Sequence, residues 1–213
     1  MRRTLLFIAM MLGSICLRSQ AEINDLINHL SNATNYGYDV VVFDCSAGKD
    51  LAAYSYFING NGNYAVDADN SVYFTDNRYY VEVDRSQKTL MVGPGSSEFF
   101  TPPKIEPDLL NNAQKQIDCE ARRCTLELKF NKENARVTIA YKPESMELES
   151  YRTQQPAMAS STNIEQCVEM TFKPLTNKAL QGLSIDDFVK MDANKFLPTE
   201  TYSSYEFFDY TQR

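Results

Sequence analysis

The hydrophobic pattern of this chain changes period twice. Residues 5–12 are continuously apolar. Ile23, Leu26, Ile27 and Leu30 then recur at i, i+3, i+4 and i+7, which predicts an amphipathic helix with one apolar stripe. Asn32 and Gly37 supply its stop signals, and His29 falls off the stripe as a solvated residue. Beyond Gly37 the pattern alternates, and strands are predicted at 38–45, 51–58, 63–67, 72–76, 79–84 and 88–92. The breaks carry turn chemistry: Ser46-Ala47-Gly48, Asn59-Gly60-Asn61-Gly62, Asp69-Asn70 and Asp76-Asn77. Connections this short make neighbours antiparallel. Pro94, Pro102, Pro103 and Pro107 exclude a regular strand over 93–107, and Asp108 is placed to cap a short helix over 109–116. Strands return at 125–130, 136–141, 146–153 and 164–172. A Ser-, Gln- and Ala-rich loop fills 154–163, Ser184 caps a helical turn over 185–191, and an extended aromatic tail runs from Phe196 to Tyr210.

The alternation names the candidate core. Leu126, Leu128 and Phe130 oppose Glu127 and Lys129, and Val137, Ile139 and Tyr141 oppose Arg136 and Thr138. Val168, Met170 and Phe172 oppose Glu169 and Thr171, while Tyr79, Val81 and Val83 oppose Glu82 and Asp84. Strands with one apolar face belong to an antiparallel sheet with one wet and one covered side. The fold class expected is mainly β (α+β): one strongly curved antiparallel sheet forming an incomplete barrel, covered by the N-terminal helix and a short helix and loop lid. Such a barrel either fills its interior or keeps room for one ligand. A ligand cavity would be lined by Tyr79, Val81, Val83, Leu126, Leu128, Phe130, Val137, Ile139, Val168, Met170 and Phe172.

The first 21 residues change the setting. Arg2 and Arg3 precede the apolar run, and Ser19 and Ala21 stand at the minus-three and minus-one positions of a small-x-small cleavage site, the layout of a secretory signal peptide. The run is shorter than the about 20 residues of a membrane span. Cys16 suggests lipid attachment, but bulky Ile15 precedes it where a small residue is wanted. Cleavage after Ala21 is therefore expected, leaving one domain over 22–213. The formal net charge is −7, and losing Arg2, Arg3 and Arg18 makes it more negative, a surface that repels nucleic acid and anionic lipid.

Four cysteines remain: Cys45, Cys119, Cys124 and Cys167. In an exported chain they suggest two disulfides, for which three pairings exist. Cys119 and Cys124 are near enough to clip a local loop, and Cys45 and Cys167 would then join distant strands. No C-x-x-C spacing supports zinc. Neither catalysis, a cofactor nor a metal is expected. The chain has one histidine, Asp186-Asp187 read as helix-start carboxylates, and Asp67-Ala68-Asp69-Asn70 lacks the glycine and distal glutamate of a calcium loop.

The segments Tyr56-Phe57-Ile58-Asn59-Gly60-Asn61-Gly62-Asn63-Tyr64-Ala65-Val66-Asp67 and Val72-Tyr73-Phe74-Thr75-Asp76-Asn77-Arg78-Tyr79-Tyr80-Val81-Glu82-Val83-Asp84 resemble the strand and turn pattern of the outer-membrane lipoprotein carrier (LolA-like) family. Lys88-Thr89-Leu90-Met91-Val92 is similar to its next strand, and Asp187-Phe188 through Pro198 to its closing segments. Asn77 stands where that family usually has glycine, and strands 38–45 and 51–58 contain no arginine to match its lid arginine. The resemblance implies a soluble monomeric periplasmic carrier of a Gram-negative cell, without enzymatic activity. Its partners would be the acyl chains of lipids or lipoproteins, with a membrane-bound donor and acceptor protein. The alternative is an exported interaction or scaffold module, for which Tyr202, Tyr205, Phe207, Phe208 and Tyr210 would form the binding surface.

Overall fold

The computed structural model describes residues 23, 25–26, 35–59, 63–95, 112–130, 134–155, 166–193 and 195–211. They form fourteen strands and three short 3-10 turns. The strands are β1 (Tyr36–Asp44), β2 (Lys49–Ile58), β3 (Tyr64–Ala68), β4 (Ser71–Thr75), β5 (Tyr79–Asp84), β6 (Thr89–Pro94) and β7 (Gln114–Glu120). They continue with β8 (Arg123–Phe130), β9 (Ala135–Tyr141), β10 (Leu148–Gln155), β11 (Gln166–Pro174), β12 (Val189–Asp192), β13 (Lys195–Pro198) and β14 (Glu206–Asp209). Twelve hydrogen-bond in one open order, β14-β6-β5-β4-β3-β2-β1-β11-β10-β9-β8-β7, and β12 pairs with β13 apart from them. The chain divides into two compact units, one of residues 1–33, 44–48 and 104–170, the other of residues 34–43, 49–103 and 171–213.

In the second unit the meander is built by side chains that satisfy their own turns. Asp76 Oδ1 accepts from the Arg78 and Tyr79 amides, and Asp84 Oδ1 from those of Ser86 and Gln87. In the first unit, Asp44 Oδ1 does the same for Ser46 and Ala47 in the turn after β1. Asn77 adopts φ 67°, the left-handed region that glycine or asparagine tolerates.

One face of this meander is a filled core. Ala65, Val72, Phe74, Val81, Val83, Leu90 and Val92 pack against Leu180, Phe188, Val189 and Phe196. The covering residues come from the 3-10 turns Lys178–Gly182 and Ile185–Asp187 and the β12–β13 hairpin. Phe188 lies 5.8 Å from Phe74 and stacks on Tyr202 at 5.7 Å, and Tyr79 meets Phe196 edge-on at 5.0 Å.

Several expectations change here. The cover of the second unit's core is this C-terminal segment. Of the N-terminal helix only Ile23, Asp25 and Leu26 are described, all helical, with Ile23 and Leu26 buried. Ile27, His29 and Leu30 lie outside the described residues, as do residues 1–21 with their leader and Cys16. No helical cover is delineated among the described elements. The helix expected over 109–116 is contradicted at its C-terminal end. Residues 114–116 open β7, whose partner β8 takes up their backbone groups. The turn expected over 185–191 opens with a capping box between Ser184 and Asp187 but ends at Phe188, whose amide donates to the Ile185 carbonyl, and Val189–Asp192 is strand. The aromatic tail pairs as an edge strand, but β14 runs parallel to β6 and not antiparallel.

In the first unit, β7 to β10 form antiparallel ladders with Ile117 opposite Leu126, Leu126 opposite Ile139, and Ile139 opposite Tyr151. Both disulfides form. Cys45 joins Cys167 across 122 residues, and Cys119 joins Cys124 directly across the β7–β8 hairpin. No helix among the described residues is long and apolar enough to cross a membrane.

Candidate functional site

The eleven residues expected to line one cavity fall into three places. Leu126, Leu128, Phe130, Val137 and Ile139 share one face of β8 and β9, since Leu126 pairs with Ile139 and Leu128 with Val137. Leu126 is 0 % exposed, Leu128 2 % and Ile139 1 %, while Phe130 and Val137 are half-buried. The opposite face is polar: Glu127 holds Lys129 at 3.0 Å and Arg136 at 2.9 Å. Lys115 stands across from Leu128 on β7, so a cation borders the apolar face on the β7 side. Val168 and Met170, half-buried, share a face of β11 with Phe172 by alternation.

Tyr79, Val81 and Val83 belong instead to the filled core of the second unit, where Val81 and Val83 are each 1 % exposed. Phe172 lies on the other side of that sheet. Its ring contacts Tyr38 at 5.5 Å, and Tyr38 contacts Tyr56 at 5.9 Å. The neighbours of Tyr56, Ser55 and Phe57, point the opposite way, and the register runs from Phe57 through Ala65 and Phe74 to Val81. Phe172 and Val81 therefore cannot line one cavity. The tyrosine face comprises Tyr36, Tyr38, Tyr54 and Tyr56, and burial raises the hydroxyl pKa of Tyr36, Tyr54 and Tyr56.

A third arrangement went unseen in the sequence. On the Ser55 side of the second unit lies an open cleft of about 560 Å³, lined by residues that include Asp39, Ser55, Asp67, Asp69, Arg85 and Lys173. Burial pushes the Asp39 carboxyl up, but hydrogen bonds from Ser55 Oγ (2.6 Å), Thr176 Oγ1 (2.7 Å) and the Thr176 amide (3.1 Å), with Lys173 nearby, hold it below the usual carboxylate value. Asp67 pairs with Arg85 at 2.7 Å, and Arg85 also donates to the Ala68 carbonyl at 2.9 Å. These bonds link β1, β2, β3 and the segment after β11. Val40, Val41, Ala53 and Tyr54 also line the cleft, and of its carboxylates Asp39 and Asp67 are engaged by neighbours. No group of three metal-binding side chains occurs among the described residues.

The aromatic tail is mostly committed inward. Tyr202, Tyr205 and Phe207 pack against the second unit's core, and Tyr210 is the large exposed hydrophobic at its end.

No protein-family model matches the chain, and no curated protein matches it by sequence. Among solved structures it is similar to an uncharacterized conserved protein from Thermus thermophilus, at 9 % identity and a TM-score of 0.40, covering 79 % of this chain and 96 % of that one. It is also distantly similar to a LolA superfamily protein from Nitrosomonas europaea, at 8 % identity and a TM-score of 0.26, covering 74 % and 96 %.

Proposed function

We propose that the protein is an exported carrier that seats an acyl chain of a lipid or lipoprotein against the β8–β9 face of its first unit. The observation that carries the reading is the composition of that face. Leu126, Leu128, Phe130, Val137 and Ile139 lie on it beside Cys124, Ala135 and Tyr141; Leu126, Leu128 and Ile139 are buried, so an acyl chain would enter at the half-buried Phe130 and Val137. Burying an acyl chain stabilises by about 0.8 kcal/mol per CH₂, so affinity needs no catalytic or charged group. Lys115 at the border suits an anionic headgroup left outside. Two disulfides support an oxidising destination, consistent with the export signal read over residues 1–21 and with the periplasm that the LolA-like resemblance implies.

The test is native mass spectrometry of the purified protein with solvent extraction of what it carries. Co-purifying acyl lipid is expected. Val137→Trp, at a half-buried position of that face, is expected to lower the lipid-bound fraction severalfold while leaving Tm close to the parent. Equal loss of lipid and stability would make Val137 ordinary core. Absence of acyl lipid, with no binding of an added fluorescent fatty acid, would overturn the proposal.

A further inference from the structure

The Cys45–Cys167 disulfide has a cation aimed at one of its two sulfurs. Arg152 of β10 donates its Nε–H to Cys167 Sγ at 3.2 Å. The arginine is half-buried and makes no carboxylate ion pair among the described residues. A disulfide sulfur is a weak acceptor, so the guanidinium is poorly used in the oxidised state. A thiolate at the same position would make a charge-assisted pair with it. No donor to Cys119 or Cys124 sulfur occurs among the described residues, so the asymmetry is particular to the long-range bridge.

We propose that Cys45–Cys167 is a directed thiol-exchange site, in which an external thiolate attacks Cys45 Sγ and Cys167 departs as a thiolate held by Arg152. Exposure favours the same direction, because Cys45 is half-buried and Cys167 only 6 % exposed. The incoming thiol loses its proton to water, and its sulfur forms a new S–S bond to Cys45. The Cys45–Cys167 bond breaks, and its electron pair stays on Cys167 Sγ. A second thiolate then attacks the external sulfur of this mixed disulfide and releases Cys45 as a thiolate. The sum is a two-electron reduction of the bridge, with two external thiols oxidised to a disulfide.

The site is also arranged to re-form. The Cys45 amide donates to the Cys167 carbonyl at 3.0 Å, and the Cys167 amide to Ser46 Oγ at 2.8 Å. These bonds align the two sulfurs without needing the bond between them. The chemistry that fits is that of a low-molecular-weight thiol or an exposed thiol of another protein, for which glutathione is the probe.

The oxidised protein is reacted with glutathione, quenched with iodoacetamide, digested and mapped. The expected product carries glutathione on Cys45 and the alkyl group on Cys167. A leaving thiol of lower pKa departs faster. Arg152→Met should therefore slow the reaction at this bridge severalfold, Arg152→Lys should restore most of it, and exchange at Cys119–Cys124 should not change. Glutathione divided evenly between Cys45 and Cys167, or an Arg152→Met rate equal to the parent, would overturn the proposal. If Arg152→Met does not fold, the mapping on the parent protein alone decides it.

Discussion

Replacing Asp39 with alanine removes one carboxylate that serves three donors on two separate stretches of chain: Ser55 on β2 and both the amide and hydroxyl of Thr176 beyond β11. A hydrogen bond to a charged group is worth about 1.5–3 kcal/mol net when well shielded. Asp39 is half-exposed, so about 1 kcal/mol for each bond is the better figure. Asp39→Ala should then cost about 3 kcal/mol, or roughly 6–12 °C in Tm for a chain of this size. Asp39→Asn should cost about 1 kcal/mol, because its carbonyl can serve Thr176 while the Ser55 hydroxyl rotates to accept from the amide. The pH dependence has a definite sign. The folded carboxyl pKa lies below the unfolded one, so the stabilisation is complete above the unfolded value of about 3.9 and disappears as pH falls through the lower folded value. Urea unfolding of parent and variants between pH 7 and pH 2.5 measures this. The gap between parent and Asp39→Asn should be full at pH 7 and shrink as pH falls toward 2.5. A gap that does not change with pH, or an alanine variant within about 0.5 kcal/mol of the parent, would refute the reasoning.

Further predictions follow from close packing and from chain connectivity. A Cβ at Gly37 would lie 2.5 Å from the Tyr56 carbonyl oxygen and 2.9 Å from Leu175 Cδ2, and backbone cannot yield as a side chain does. Gly37→Ala should cost about 1–3 kcal/mol in urea unfolding, and an unchanged midpoint would contradict the packing described. The two disulfides differ in the loops they close, 122 residues against 5. By chain entropy, the Cys45→Ser, Cys167→Ser double variant should lose about 5 kcal/mol and the Cys119→Ser, Cys124→Ser variant about 2 kcal/mol, a ranking that equilibrium unfolding checks.

The strands most legible in the sequence were those with clean alternation. Tyr79, Val81 and Val83, and likewise Leu126 and Leu128, show their buried face by spacing alone, whereas four cysteines left three disulfide pairings open until the strands brought Cys45 to Cys167 and Cys119 to Cys124. β7 escaped because Gln114-Lys115-Gln116-Ile117-Asp118-Cys119-Glu120 offers one aliphatic residue and lies at the end of the strand order. A cysteine on each side of a short polar turn was the available signal for that hairpin. Alternation shows that a face is apolar, but it cannot show which face of a neighbouring strand it joins. Grouping Phe172 with Val81 failed for that reason, since only register relates the two. The polar cleft was invisible for a complementary reason. Asp39, Ser55 and Asp67 occupy positions that read as solvent-facing, and what unites them is cross-strand pairing between distant segments.

The neighbouring positions of β1 and β11 also set an order of events in folding. The β3–β4, β4–β5 and β7–β8 hairpins close short loops, and hairpins form on the microsecond scale. β1 and β11 are separated by most of the chain, so their meeting carries the largest loop-closure cost and comes late. Until β11 arrives, β1 offers an open edge with Tyr38 and Val40 uncovered on that side, a template for pairing with another copy of the chain. Aggregation during refolding should therefore depend most on how quickly this one pair of strands is secured.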